Sequence, residues 1–254
     1  MQLTVIVPTY NEAENLPKLV SALFALPIID LKALVVDDNS PDGTGSLADQ
    51  LAERHPGRVS VIHRTGKMGL RTAYLAGFKQ AIAQGAEAIG QMDADFSHDP
   101  NKLVEMIAAL ENADVVLGSR YVPGGSVDQQ WPLWRRWLSA FGNTYARILL
   151  GFPLRDVTTG YRLWRREALQ GMPLQRIRAN GYVFLVEMAY MAFCLRYRFA
   201  QVPIYFADRR WGKSKMSFKI QIEAALRLFQ VRWNYRDLRK NGKTARVSQM
   251  VPAD

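Results

Sequence analysis

Short apolar segments alternate with amphipathic ones along the first half of the chain. Each apolar segment has the length of a buried β-strand and is followed by polar or turn-forming residues. The predicted strands are 3–8, which Pro8 is expected to end, and 31–36, 59–62, 86–92 and 114–118. Apolar residues between them recur at helical spacing, which predicts helices over 11–25, 44–54, 70–84 and 100–111. Thr44 follows a dense turn and is predicted to cap the second of these helices.

Strands that alternate with helices of roughly 10–15 residues predict an α/β fold, Rossmann-like, with a mostly parallel sheet and helices on both faces. Ligands bind at the carboxyl ends of the strands in such sheets. Polar clusters at 8–12, 37–42 and 93–95 each follow a predicted strand. The topology therefore predicts that these three clusters meet at one edge of the sheet and form the ligand site.

The pattern loosens after residue 118. A loop is predicted over 121–126, helices over 131–150 and 180–196, and a strand over 198–206. Residues 217–240 predict a long basic amphipathic helix, whose apolar face either packs on the core or lies on a membrane surface. The polar tail 241–254 is predicted to be disordered.

The composition is that of a globular protein, with 48 % hydrophobic and 22 % charged residues, but the charge is uneven. Residues 1–112 contain 9 Lys and Arg against 14 Asp and Glu, and residues 113–254 contain 24 against 9. A basic second half suits an anionic acceptor or a membrane surface, or it consists of solvated helix faces. The single cysteine, Cys194, excludes a disulfide framework and predicts a reducing compartment. No signal peptide or bilayer-spanning stretch is visible, so we expect a cytoplasmic location.

Asp93 and Asp95 are separated by one residue at a predicted strand end, so their carboxylates can converge on one side. Two such oxygen ligands can hold a divalent cation against a diphosphate, while water and phosphate oxygens complete the octahedron. An isolated Asp-x-Asp is more commonly a solvated turn, so the neighbouring motifs decide the interpretation.

Three ordered motifs, VPTYNE at 7–12, VDDNSPDGT at 36–44 and MDADFSHDP at 92–100, resemble family 2 glycosyltransferases of the GT-A fold. Two further segments, GSRY at 118–121 and DRRWGKSK at 208–215, are similar to those of the dolichol- and polyprenol-phosphate mannose synthases within that family. The resemblance covers about residues 3–220. It implies an inverting transfer of mannose from GDP-mannose to a polyprenyl monophosphate, with Mg²⁺ or Mn²⁺.

The resemblance also implies a domain organisation and a location. We expect a GT-A domain over 1–216, with a nucleotide- and metal-binding half at about 1–120 and an acceptor half at about 121–216. Many relatives carry C-terminal transmembrane helices, which this chain lacks. That makes it similar to short synthases, which sit on the membrane surface or use a separate membrane subunit. We expect a peripheral position on the cytoplasmic face of a membrane.

Two strand ends supply the expected donor-nucleotide contacts. Pro8, Tyr10 and Glu12 belong to the nucleotide-contacting loop of the resembled family. Tyr10 is expected to pack on the base, and Glu12 to accept hydrogen bonds from guanine or ribose, or else to favour a helix N-terminus as a carboxylate. Asp37 and Asp38 point to opposite faces of their strand, so one should bind the nucleoside and the other support the turn.

The third strand end supplies the metal site. By the resemblance, Asp93 and Asp95 ligate the metal, Asp95 is catalytic, and Asp93 with Ala94 also contacts the donor nucleotide. Relatives often carry Gln where this chain has Ser97, whose shorter side chain makes it a doubtful ligand. His98 is expected to cap the turn or to support a ligand, because an oxygen-preferring site rarely takes imidazole.

The acceptor phosphate is itself the nucleophile, so no general base is required, and no Ser-His-Asp or Cys-His arrangement is visible. Catalysis should then rest on positioning and charge stabilisation. Arg120, Arg209 and Lys215 are expected to be catalytic and, with Arg136, to hold the acceptor phosphate.

Two further carboxylates need partners. Asp156 begins a segment that resembles the family's acceptor side, and it is expected to orient an arginine, to contact sugar hydroxyls, or to pair with Arg155 or Arg162. Glu187 lies in an otherwise apolar helix, which predicts a buried carboxylate that pairs with an arginine or contacts the sugar, in that order.

Two other functions remain open. A family 2 transferase could use UDP-glucose or another UDP-sugar on a lipid or saccharide acceptor. A non-catalytic nucleotide- or nucleic-acid-binding module is the other alternative, but no helix-turn-helix, zinc finger or aromatic sheet motif is present. We therefore expect no nucleic-acid partner.

Overall fold

The computed structural model describes residues 1–208 and 227–239. The strands are β1 Leu3–Thr9, β2 Leu31–Asp37, β3 Val59–His63, β4 Ala88–Gln91, β5 Val115–Ser119, β6 Ser126–Val127, β7 Arg162–Arg165, β8 Phe199–Pro203 and β9 Tyr205–Phe206. The helices are α1 Leu16–Phe24, α2 Thr44–Arg54, α3 Leu70–Ala83, α4 Lys102–Leu110, α5 Leu133–Leu150, α6 Arg166–Gly171 and α7 Gly181–Cys194. Residues 227–239, the C-terminal helical segment, are helical apart from a turn at Tyr235.

The main sheet has the order β3-β2-β1-β4-β7-β5-β8, and β6 pairs with β9 in a separate two-stranded sheet. Every pairing in the main sheet is parallel except those of β7, which runs antiparallel to both β4 and β5. The predicted α/β fold with a mostly parallel sheet is confirmed, and so are its first five strands. Strand β7 was not predicted, because its four residues begin and end with arginine and show no apolar run.

Helices cover both faces of the sheet, and alternate residues of β1 divide the core between them. Ile6 packs in the cluster that includes residues of α3 and α7, whereas Val5 and Val7 pack in the cluster that includes residues of α1 and α4. Helix α3 approaches β1 closely, because a Cβ at Gly77 would lie only 2.6 Å from a methyl carbon of Ile6. This approach packs the middle of α3 directly against β1.

Two local predictions at the first strand ends were wrong. Pro8 lies within β1 and does not end it, because its missing N–H points to the side where β4 has already ended at Gln91. Proline can therefore occur inside this strand without losing a ladder hydrogen bond.

The other wrong prediction concerns the first helix. The helix predicted over 11–25 begins only at Leu16, after a bend and a turn.

Thr44 does not cap α2 from outside but is its first residue, and Gly43 precedes it with a φ of 88°. The Thr44 hydroxyl donates to Asp42 Oδ1 at 2.6 Å and accepts the Glu12 N–H at 2.9 Å. Gly43 is the N-cap residue, and Asp42, the residue before it, accepts the Thr44 N–H on Oδ1 at 3.1 Å.

Glu187 was predicted to pair with an arginine side chain or to contact the sugar, and the structure gives it other partners. Its Oε2 accepts the backbone N–H groups of Arg178 and Ala179, at 3.1 and 2.8 Å. Its Oε1 accepts the Tyr235 hydroxyl at 2.9 Å, and both side chains are buried. Glu187 therefore anchors the C-terminal helical segment to α7.

The C-terminal helical segment is the described part of the helix predicted over 217–240. Leu228, Val231 and Tyr235 are buried, while Phe229 and Trp233 are exposed. The rest of that predicted helix, 217–226 and 240, and the predicted disordered tail, 241–254, lie outside the described residues. Within 1–208 and 227–239, no helix combines the length and hydropathy that a membrane crossing requires.

Candidate active site

The predicted convergence of polar clusters is present at the carboxyl edge of the sheet. Strands β1 and β2 are paired in register up to Thr9 and Asp37, and β4 is paired with β1 up to Gln91. Because the three strands are parallel, the residues that follow them lie at the same edge. Strand β5 adds Arg120 at this edge, directly after Ser119.

Asp37 holds the turn that follows β2. Its Oδ1 accepts the hydroxyls of Thr9 and Ser40, at 3.0 and 2.5 Å, and its Oδ2 accepts the Ser40 N–H at 3.0 Å. The side chain is buried, and these contacts engage both of its oxygens. Of the two expected roles for this pair of carboxylates, the structure gives Asp37 the turn.

Asp38 forms a buried ion pair with Arg64, in which Nη1 lies 2.7 Å from Oδ1. Burial raises the pKa of Asp38, and the Arg64 charge and backbone N–H groups of Met68 and Gly69 offset this only in part. Arg64 was not singled out from the sequence. It directly follows β3, so the same strand-end rule that found the other polar clusters could have found it.

Tyr10 and Glu12 lie just beyond β1. The Lys67 ammonium lies 3.7 Å from the centre of the Tyr10 ring, so one face of the ring carries a cation. Glu12 Oε2 accepts the side-chain amide of Asn15 at 2.8 Å, immediately before α1. Glu12 therefore lies at a helix N-terminus, as one of the two expected roles requires.

The Asp93–Asp95 turn is held by its own neighbours. Asp95 Oδ1 accepts the Ser97 N–H at 3.0 Å and the Ser97 hydroxyl at 2.6 Å, and both side chains are buried. The Asp93 N–H donates to His98 Nδ1 at 3.2 Å. Ser97 thus orients the Asp95 carboxylate, and His98 closes the turn, as its expected capping role requires. Ala94 between them is buried.

The donor set fits a hard divalent cation that shares its shell with a ligand. Within the described ranges, no group of three or more His, Cys, Asp and Glu side chains is arranged to hold a metal. A cation held by Asp93 and Asp95 would therefore have two carboxylates as its protein ligands, and phosphate oxygens and water would fill its remaining positions. Mg²⁺ is commonly bound in this way, by one or two carboxylates together with substrate phosphates.

Arg120 and Asp156 form a buried pair beside this turn. Asp156 accepts Arg120 Nε on one oxygen and Nη2 on the other, each at 2.7 Å. Nη2 also donates to the Thr158 hydroxyl at 2.7 Å. Burial raises the pKa of Asp156, but the Arg120 charge and hydrogen bonds more than offset this and hold it below its ordinary value. The partner of Asp156 is thus Arg120, and pairing with Arg155 or Arg162 was the wrong alternative.

Of the other cations expected to bind the acceptor phosphate, the structure describes only Arg136. Arg136 donates Nε to the Trp131 carbonyl at 3.0 Å and Nη2 to the Gln129 carbonyl, so its guanidinium braces the turn before α5. Arg135 stacks on the Trp131 ring at 3.8 Å and pairs with Asp208 at 3.1 Å. Arg209 and Lys215 lie outside the described residues.

Of two buried residues below the turn, Tyr74 was missed by sequence reasoning and Arg162 was considered only as a partner of Asp156. The Tyr74 hydroxyl has no hydrogen-bond partner among the described residues. Burial and the nearby Asp93 and Asp95 charges raise its pKa well above the ordinary value. Arg162, at the start of β7, is fully buried. No periodicity signal could have found either residue, because both belong to the core side of the site.

A family model described as glycosyl transferase family 2 matches residues 4–172. A polyprenol monophosphomannose synthase from Mycolicibacterium smegmatis is 49 % identical over 216 residues, covering 84 % of this chain and 80 % of the relative. An undecaprenyl-phosphate mannosyltransferase from Micrococcus luteus is 44 % identical over 234 residues, covering 92 % and 94 %. A dolichol-phosphate mannosyltransferase from Pyrococcus furiosus is 35 % identical, covering 91 % and 64 %.

Among solved structures, a glucosyl-3-phosphoglycerate synthase from Mycobacterium tuberculosis, in complex with Mn²⁺, UDP and glucosyl-3-phosphoglycerate, matches with a TM-score of 0.60. The match covers 91 % of this chain and 78 % of that one, at 16 % identity, so it supports the GT-A fold. The family match and the fold together define a glycosyltransferase. The chain belongs to glycosyl transferase family 2.

Proposed function

We propose that this chain transfers mannose from GDP-mannose, with inversion, to the phosphate of a polyprenyl monophosphate. The observation that carries the proposal is the 44 % and 49 % identity to two relatives named for mannosyl transfer to polyprenyl phosphates, over at least four fifths of each chain. The structure adds a carboxylate pair that fits a divalent cation and, at the next strand end, a buried arginine. Both substrates of the proposed reaction carry phosphate groups, which these two features suit.

The donor would lie along the ends of β1, β2 and β4. Tyr10 provides an aromatic face for the base, and the Asp38–Arg64 pair offers an acceptor and a donor to its polar edge. Asp93 and Asp95 would hold Mg²⁺ or Mn²⁺, which supplies charge stabilisation to the departing diphosphate. Ser97 fixes one Asp95 oxygen in place through two hydrogen bonds.

The acceptor phosphate would approach from the side of Arg120. A phosphate monoester is already anionic at neutral pH, so it can attack without a general base, and positioning is the main requirement. Asp156 keeps the Arg120 guanidinium in one orientation through two parallel hydrogen bonds. Arg136, Arg209 and Lys215 are proposed to complete the phosphate site.

The experiment is a parallel incubation of the purified chain with a short polyprenyl phosphate, GDP-mannose or UDP-glucose, and Mg²⁺, Mn²⁺ or chelator. Lipid-linked sugar phosphate is measured by mass spectrometry. Product that forms with GDP-mannose but not with UDP-glucose, and with metal but not with chelator, supports the proposal. Product with UDP-glucose alone would move the function to a UDP-sugar transferase, and nucleotide binding without transfer to any acceptor would favour a binding module.

We also propose that the enzyme lies on a membrane surface, where a polyprenyl acceptor is found. Helix α5 contains three arginines and no acidic residue. One of its faces is exposed and apolar, with Trp134, Trp137, Phe141 and Ile148 at 64, 75, 66 and 75 % exposure. A basic helix with exposed tryptophans suits the headgroup boundary of an anionic bilayer.

The C-terminal helical segment extends this surface. Arg232 donates to the Leu149 carbonyl at the end of α5, so the two elements are adjacent. Phe229 and Trp233 are exposed on the segment, and Arg236 lies 4.2 Å from the centre of the Trp233 ring. A position on the cytoplasmic face and a separate membrane subunit stay predictions.

Vesicle flotation tests the membrane proposal. Trp137→Glu should reduce flotation with vesicles that contain anionic phospholipid, because it places a carboxylate in the proposed contact face. The matched control is Ile29→Glu, since the Ile29 side chain is also exposed but lies before β2, at the edge of the sheet opposite the candidate active site. Equal flotation of the two variants would contradict the assignment of α5.

A further inference from the structure

Arg162 is a fully buried cation whose guanidinium donates its hydrogen bonds to backbone carbonyl groups. Its Nε donates to the Thr159 carbonyl at 2.9 Å, Nη1 to Leu185 at 2.7 Å and Nη2 to Val157 at 2.8 Å. No carboxylate of the described residues lies within ion-pair distance of it, and burial lowers its pKa to about 9. Burying a charge without a carboxylate partner costs free energy, so we asked what Arg162 contributes at this position.

Two of these carbonyls belong to the 156–160 loop, and the third belongs to α7. The guanidinium therefore fixes the loop from beneath, with one planar group that reaches three acceptors at once. One end of the loop is Asp156, which holds Arg120 on the acceptor side. The Arg162 contacts lie between that end and Gly160.

The other end of the loop lies against the metal site. A Cβ added to Gly160 would be 3.6 Å from both carboxylate oxygens of Asp93 and 3.4 Å from His98 Cε1. His98 in turn accepts the Asp93 N–H. The 156–160 loop thus touches both halves of the site, the arginine that faces the acceptor and the carboxylate that faces the cation.

We infer that Arg162 is a positioning residue that sets the metal-binding carboxylates and the acceptor-side arginine in register through the 156–160 loop. The inference rests on the proposed function for the identity of the two substrates, while the geometry itself is independent of it. Strand β7 makes this possible, because its antiparallel insertion between β4 and β5 places Arg162 between the two strand ends.

The same strand offers a matched control. Arg165, at the other end of β7, also donates to three backbone carbonyls, those of Ala113 at 2.9 Å, Leu110 at 2.6 Å and Glu111 at 3.1 Å. These acceptors lie at the end of α4 and just after it, at the edge of the sheet opposite the site. The two arginines therefore make the same kind of contact at opposite ends of one strand.

The experiment compares Arg162→Lys with Arg165→Lys, since lysine keeps the charge but cannot reach three carbonyls. For each folded variant, Mn²⁺ affinity is measured by titration without substrate, and KM for polyprenyl phosphate by turnover. In Arg162→Lys we expect the Mn²⁺ affinity to fall and the KM for polyprenyl phosphate to rise, each by about 10-fold or more. This is the usual effect of losing the group that orients a metal ligand. In Arg165→Lys we expect both to stay within about 2-fold.

Equal changes in the two variants, or Mn²⁺ affinity and KM that stay at wild-type values in folded Arg162→Lys, would overturn the inference. If lysine does not fold, Arg162→Gln keeps two N–H donors without a buried charge and is tested in the same way. Failure of both to fold beside a folded Arg165→Lys would assign Arg162 to the core alone and would also overturn it. If the wild-type chain makes no mannolipid, the proposed function fails, while the Mn²⁺ comparison still tests Arg162.

Discussion

Asp156 receives three hydrogen bonds from Arg120. The Arg120 backbone N–H donates at 2.9 Å, and its Nε and Nη2 donate at 2.7 Å each. Asp156 is 0 % exposed and Arg120 is 8 % exposed, so neither charge can turn to water if the other is removed. A buried pair of this kind determines where the arginine points more than it adds to stability.

Asp156→Asn should therefore destabilise the fold strongly, because it leaves the Arg120 charge buried without compensation. We expect a loss of about 3–5 kcal/mol in the free energy of unfolding, measured by urea denaturation. Asp114→Asn is the control, since Asp114 accepts the same three groups from Arg198, with Arg198 65 % exposed. Asp114→Asn should lower the free energy of unfolding by at most about 1 kcal/mol. Equal losses in the two variants would show that burial does not set the cost of removing the carboxylate.

Asp95→Asn should remove most of the activity while the fold is retained. The amide oxygen can still accept both Ser97 hydrogen bonds, but the charge that a divalent cation needs is gone. Because the metal contributes several kcal/mol of charge stabilisation, we expect turnover to fall by about 100-fold or more and Mn²⁺ affinity to fall with it.

Asp99→Asn is the control for the loss of charge in the same turn. Asp99 is exposed, and its Oδ1 accepts the N–H and side-chain amide of Asn101, so it holds a turn as Asp95 does. This variant should keep wild-type turnover. Turnover of Asp95→Asn at the Asp99→Asn level would refute the metal role of Asp95.

The sequence was sufficient to predict the first five strands and the edge where the site forms. In that region buried strands and periodic helices alternate, and polar residues lie at or just after each strand end, as Asp37 and Asp93 do. The same rule applied to β3 would have indicated Arg64. These features are local, so they can be read from the order of residues.

The contacts of the second half could not be predicted in this way. Arg120 and Asp156 are 36 residues apart, and they meet because β7 inserts antiparallel beside β5. Strand β7 is too short and too polar at its ends to show strand periodicity. Likewise, the sequence predicted an arginine partner for Glu187, whereas tertiary packing supplies two backbone N–H groups and the Tyr235 hydroxyl.

Tyr74→Phe should leave the stability of the fold unchanged or increase it. The Tyr74 hydroxyl is buried without a hydrogen-bond partner among the described residues, so its removal relieves a desolvation cost and loses no bond. Urea denaturation measures the difference. Tyr161→Phe is the contrast, because the Tyr161 hydroxyl donates to the Asp99 carbonyl at 2.9 Å. This variant should lose about 1 kcal/mol in the free energy of unfolding.

If Tyr74→Phe instead loses as much stability as Tyr161→Phe, the hydroxyl has a partner in solution, such as an ordered water. Water with several polar partners can satisfy a buried hydroxyl as well as a protein group does. Mn²⁺ titration of the same variant would then show whether that partner belongs to the Asp93–Asp95 turn.

The attachment of the C-terminal helical segment should weaken at low pH. Arg176 donates to both carboxylate oxygens of Asp237, at 2.8 and 2.9 Å, and these hydrogen bonds lower the pKa of Asp237 to about 2 from an ordinary 3.8. A lowered folded-state pKa stabilises the fold above the unfolded value, and this stabilisation is lost as pH falls through the folded value. Asp237→Asn should therefore reduce Tm at neutral pH, and its difference in Tm from wild type should shrink as pH falls from about 4 to about 2.

Arg176→Gln should show the same convergence of Tm with wild type, since it removes the other partner of the ion pair. A Tm difference that stays constant over this range in both variants would show that the ion pair does not stabilise the fold.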